Sequence, residues 1–225
     1  MTTDPKTLEK AEKVIDSLAL LADAIEEGMI FRFQHGQSLG TVAGLGTEDD
    51  FNSRIGIRAS LTRSEVANVV AMLEREDGKG NLGSLGFIFG RIKKDLELQN
   101  LLTRDRGTGY VPDGAKFDEA QRLYKELNKS DALDRVRSLR HHRVGHILRE
   151  GRPDMVFNEE LFQLQEKVER IVTLLFQAFG LPTPRYVERR DELLTSAQLF
   201  WETYTAGLQA RGRLGIAGAP AKSTS

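Results

Sequence analysis

Apolar residues recur at intervals of three and four along most of this 225-residue chain, and no window alternates with the period of two that a half-buried strand requires. The first such run is the longest. Asp4-Pro5 supplies an N-cap and a first-turn proline. Leu8, Ala11, Val14, Ile15, Leu18, Leu21, Ala22, Ile25 and Met29 then follow at helical spacing, predicting an amphipathic helix to about Phe33. His35, beside Gly36, is expected to end it. The Gly- and Asp-rich stretch that follows reads as an irregular connection or an interrupted helix. Its "GTVAGLG" lacks the Lys-Ser/Thr ending and the preceding strand of a phosphate loop.

Ser64 is expected to cap a helix over "SEVANVVAMLERE", stopped by "DGKGN". One helix is predicted from about Leu85 to Leu102, then a loop, "TRDRGTGYVPDG". Two helices cover Lys116–Leu127 and Asp131–Arg149, divided at "NKSD", where Ser130 or Asp131 can cap. Asn158 opens a helix that Gly180 and the following "LPTP" end. A last helix spans Val187 to Leu208, with Phe200, Trp201 and Tyr204 clustered on it as core or dimer packing. The expected architecture is all-α, six to seven helices forming one domain over residues 1–210, with 211–225 as a small, polar, disordered tail.

Composition narrows the chemistry. There is no cysteine, which excludes disulfides, thiolate metal sites and cysteine nucleophiles. Lys plus Arg number 32 and Asp plus Glu 33, so nucleic-acid binding would need a local basic patch. The N-terminus lacks an apolar signal core, and no stretch approaches eighteen consecutive apolar residues. A cytoplasmic protein without membrane contact is the expectation.

The strongest local signal is "LRHHRVGHILRE", residues 139–150, which holds three of the four histidines. On a wheel of about 100° per residue with Arg140 at zero, Leu133, Val136, Val144 and Ile147 fall within about 40° of it. Arg137 and Arg143 flank that stripe near +60° and −60°, and His146 lies near −120° by the same approximate spacing. A solvated charge run would place its arginines opposite the apolar stripe. These must instead be satisfied by carboxylates of another helix, a partner subunit or an anionic ligand, because an unpaired buried guanidinium is very costly. Histidine exchanges protons near neutral pH, and arginine holds phosphate bidentately. An Arg and a His around an RNA phosphate can therefore promote attack by the ribose 2′-hydroxyl without a metal. His142 and His146 are four apart but lack the carboxylate of a zinc-protease helix, so neither a metal nor a cofactor is expected.

Arg140, His141 and His146 resemble the HEPN superfamily motif, in which an Arg and a polar residue precede a His by a short interval. "VRSLRHHRVGHILRE", "RSEVANVVAMLERED" with "GNLGSLGFIF", and "MVFNEELFQLQEKVERIVTLL" are together similar to the abortive-infection U-type HEPN proteins, from about Val14 to Phe179. Gly145 stands where that group usually has Ala. The resemblance implies an up-and-down helical bundle and a homodimer whose motifs face each other across a cleft. It implies a metal-independent endoribonuclease of the toxin or phage-defence type, with a possible antitoxin or sensor partner. Arg140 and His146 would be catalytic, and His141 and Arg143 would contact RNA. The alternatives are a non-catalytic interaction or dimerisation bundle and a nucleotide-binding HEPN protein.

Overall fold

The computed structural model describes residues 4–41, 48–74, 83–105, 107, 109–140 and 158–210, without the side chains of 39–41 and 48–55. Among them are eight helices and no strand: α1 (Pro5–Thr41), α2 (Glu48–Leu73), α3 (Leu85–Ile92), α4 (Leu96–Leu102), α5 (Gly114–Leu127), α6 (Asp131–Leu139), α7 (Asn158–Ala178) and α8 (Arg185–Ala210). No helix among these residues is long and apolar enough to cross a membrane.

α1 is the axis of the bundle and contacts α2, α3, α4, α7 and α8. Its stripe of Val14, Leu18, Leu21, Ile25 and Met29 is buried, so the 3.6-residue period translates directly into core. α2 runs antiparallel to it. Asn68 Nδ2 donates to the Ala24 carbonyl at 2.9 Å, and farther along α1 His35 meets Glu65, which lies earlier in α2. At that crossing Gly28 leaves room for the Asn68 side chain: a β-carbon there would stand 2.5 Å from Asn68 Oδ1. α5 packs on α7, with the rings of Phe117 and Phe179 6.1 Å apart.

Three expectations are corrected. Ser64 does not open a helix. It lies inside α2, because packing along α1 carries the helix through a residue with only a weak preference of its own. Leu85 to Leu102 forms two helices, not one, which accounts for eight helices instead of six to seven. Asp95 makes the break: its carboxylate accepts from Leu98 N at 3.0 Å as the N-cap of α4 and binds Lys10 Nζ at 2.6 Å. α1 continues past His35 and Gly36 to Thr41.

Other boundaries agree. Ser130 caps α6, its hydroxyl accepting from Leu133 N at 3.4 Å. Gly180 ends the segment after α7 with φ of 58°, and a β-carbon there would stand 2.6 Å from the Tyr110 carbonyl oxygen.

Candidate functional site

The end of α6 is where the sequence places its site. Leu133 and Val136 are buried, so α6 presents to the core the face that the wheel assigns to it. Arg135 and Glu160 form an ion pair that ties α6 to the start of α7. Arg137 donates to the Leu73 carbonyl at 3.4 Å and to Asn128 Oδ1 at 3.5 Å, with Asp134 Oδ1 3.5 Å away. One turn on, Arg140 Nη1 donates to Glu74 Oε1 at 2.6 Å, the side chains being 43% and 36% exposed. Of the three ways to satisfy these arginines, groups at the end of another helix provide the one observed. Arg137 and Arg140 both grip the C-terminal end of α2. His141, His142, Arg143 and His146 lie outside the described residues.

A second polar cluster lies inside the bundle. His35 Nδ1 and Glu65 Oε2 share a hydrogen bond of 2.8 Å, with side chains 1% and 0% exposed. The Phe162 ring of α7 meets the imidazole in a T-shaped contact, centroids 5.7 Å apart. One turn earlier on α1, Arg32 Nη1 stands 2.8 Å from Glu169 Oε1 of α7, at 5% and 10% exposure. Arg190 Nη1 of α8 binds the other oxygen of Glu169 at 2.9 Å. The Phe33 ring meets both guanidiniums, its centroid 5.2 Å from that of Arg32 and 5.9 Å from that of Arg190. Burial is the dominant influence on Glu169 and pushes its carboxyl above the ordinary value of 4.5, against the pull of Arg32 and Arg190. Tyr186 donates to the Glu169 carbonyl at 3.0 Å and shares a hydrogen bond of 2.9 Å with Thr173. Burial raises its phenol above the usual range.

An open cleft of about 420 Å³ borders this cluster, lined by Met29, Glu166, Glu169, Tyr186, Val187 and Arg190 among others. Among the described residues, no group of three or more His, Asp or Glu is arranged to hold a metal ion.

This interior cluster is absent from the expectations above, although the sequence carries a signal for it. Arg32 and His35 follow Met29 at three-residue intervals and so extend the apolar stripe of α1. Glu65 adjoins Val66 of the buried α2 stripe. Gln165 and Glu169 adjoin Leu164 and Val168 on α7, and all four of these α7 residues are buried. The wheel applied to residues 133–149 would have exposed them. On α8, Trp201 is buried and meets Phe200 edge-on at 5.4 Å, with Phe200 stacked on Tyr204 at 6.5 Å.

Compared with known proteins, the chain matches no family model, no curated protein and no solved structure.

Proposed function

We propose that this chain is a metal-independent endoribonuclease of the HEPN type, in which Arg140 and His146 act on an RNA phosphate and His141 and Arg143 bind the strand. The observation that carries this reading is the Arg140 guanidinium. It stands half-exposed at the end of α6 with an anionic oxygen already held at 2.6 Å, and the histidine-rich segment begins at the next residue. In this reading the RNA phosphate takes the place of the Glu74 carboxylate. A half-exposed ion pair contributes only about 0–1 kcal/mol, so the exchange costs little.

His146 accepts the proton of the ribose 2′-hydroxyl as that oxygen attacks the adjacent phosphorus. Arg140 stabilises the charge that develops on the phosphoryl oxygens. The bond to the 5′-oxygen breaks, and the departing oxygen takes a proton from a second acid, leaving a 2′,3′-cyclic phosphate and a 5′-hydroxyl. A homodimer supplies that acid from the second copy of the motif. The toxin or phage-defence setting, the cytoplasmic site of action and an antitoxin or sensor partner belong to the same proposal and rest on the motif resemblance.

The experiment is incubation of the purified protein with total RNA in EDTA, beside Arg140→Ala and His146→Ala. Cleavage by the wild type that both substitutions abolish is the expected result. RNA left equally intact by all three overturns the enzyme reading.

A second reading has its own support. Arg137 and Arg140 both bind the end of α2 within one molecule, as they would in a non-catalytic interaction bundle whose arginines fasten helices. It predicts that Arg140→Ala lowers stability and leaves RNA handling unchanged.

A further inference from the structure

The interior cluster contains more polar groups than its own contacts satisfy. Arg32, His35 and Ser38 stand at three-residue intervals on α1 and so share one face. Ser38 returns its hydroxyl to the His35 carbonyl at 2.6 Å. Across from them, α7 presents Phe162 to His35 and Glu169 to Arg32. Gln165 lies three residues after Phe162 and four before Glu169, on the same side of α7 and level with the interval between Arg32 and His35. Glu65 reaches the same level from α2 through His35.

Five buried atoms here find no hydrogen-bond partner among the described residues: Glu65 Oε1, both amide atoms of Gln165, and Nη1 and Nη2 of Arg32. Of the five, Arg32 Nη1 is the one with a close charged neighbour, the Glu169 carboxylate at 2.8 Å. Buried polar groups in folded proteins are nearly always hydrogen-bonded, to protein or to ordered water.

The unpaired atoms are complementary. Gln165 Nε2 and the Arg32 nitrogens donate, while Gln165 Oε1 and Glu65 Oε1 accept. They come from three helices and do not reach one another directly. A metal ion does not suit the set, since three of the five atoms are N–H donors. Water does, because each molecule offers two donors and two acceptors and a polar buried site retains it. Glu169 belongs both to this seam and to the open cleft beside it, which brings the seam within one side chain of solvent.

We propose that the seam between α1, α2 and α7 is a buried hydration site, holding ordered water that bridges Gln165 to Glu65 and to Arg32. The water completes the hydrogen bonding where α1, α2 and α7 meet and gives the buried Gln165 amide its partners.

The test is Gln165→Leu, close in volume and without the amide. Removing the amide from a hydrated seam strands the bridging water and its partners, so the melting temperature falls by about 2–6 °C. In a dry seam the same substitution removes two unsatisfied atoms, and the melting temperature rises. A high-resolution crystal structure of the wild-type protein gives the second reading and decides alone if the variant does not fold. An ordered water within hydrogen-bond distance of the Gln165 amide and of Glu65 or Arg32 is expected. A rise in melting temperature, or a crystal structure with no ordered water at that amide, overturns the proposal.

Discussion

Arginine, histidine and glutamate occur in two places in this molecule with opposite consequences. In the α1–α2–α7 seam they extend the apolar stripes and lie inside the bundle, where Glu65 and His35 are almost fully enclosed. At the end of α6 an arginine also follows an apolar stripe and meets a glutamate, but Arg140 keeps nearly half its side chain in solvent. A helical wheel gives a residue's direction around an axis. Enclosure depends on how far the neighbouring helices extend along that axis. Arg32 and His35 lie where α1 is covered by both α2 and α7, whereas Arg140 lies beyond Leu73, the last residue of α2, and meets its end rather than its side. Removing a partner inside the seam therefore leaves a stranded polar group, and removing one at the α6 end leaves a solvated one.

The difference is sharpest in Glu65→Ala, which leaves His35 enclosed without its only observed carboxylate. A loss of about 2 kcal/mol in urea unfolding is expected, in the range for stranding a buried hydrogen-bonding group. A loss below about 1 kcal/mol, the scale of exposed pairs, would erase the distinction between the two regions.

A smaller effect separates them by pH. Because burial raises the Glu169 carboxyl above its ordinary 4.5, the folded protein holds that proton over a range in which the unfolded chain has released it. The contribution of Glu169 is then most favourable at low pH and is lost as pH rises through the folded value. The stability of wild type minus that of Glu169→Gln should fall as pH is raised from about 4 to 7 in denaturant titrations. Asp95, at the surface, shows the opposite sign. Its side-chain hydrogen bond with Lys10 and the Leu98 N–H hold it below its ordinary 3.8, so its contribution is lost as pH falls.

The smallest effect belongs to the α6 end. A double-mutant cycle on Arg140 and Glu74 should give a coupling below about 1 kcal/mol that shrinks with added salt. If Arg140 serves RNA, Glu74→Gln should tighten binding of a non-cleavable RNA by roughly two- to fivefold, the release of one exposed ion pair. Weaker binding after that substitution would instead make Glu74 a support that positions Arg140.

Much of the bundle can be read from the chain because its signals are local. The Ser130 cap, the α7 stripe from Leu161 to Phe179 and the Gly180 stop each depend on a few consecutive residues. The failures share a different cause. α2 passes through Ser64 because it lies along α1, and α1 passes through Gly36 where His35 is held by Glu65; the break before α4 is the exception, a local Asp95 N-cap masked by the apolar run around it. A cap, a breaker or a polar residue is decided locally only when no distant partner outweighs a preference of about 1 kcal/mol. Of the candidate site, Arg140 on the wheel was legible and its partner Glu74 was not, since 66 residues separate them.

By itself, the periodicity of the sequence determined an all-helical chain with stripes to bury, and its composition excluded cysteine chemistry. Only the tertiary structure decided which charges lie under neighbouring helices and which stand past their ends. Period sets the angle at which a side chain leaves its helix, but enclosure depends on contacts between residues far apart in the chain, and no local pattern encodes them.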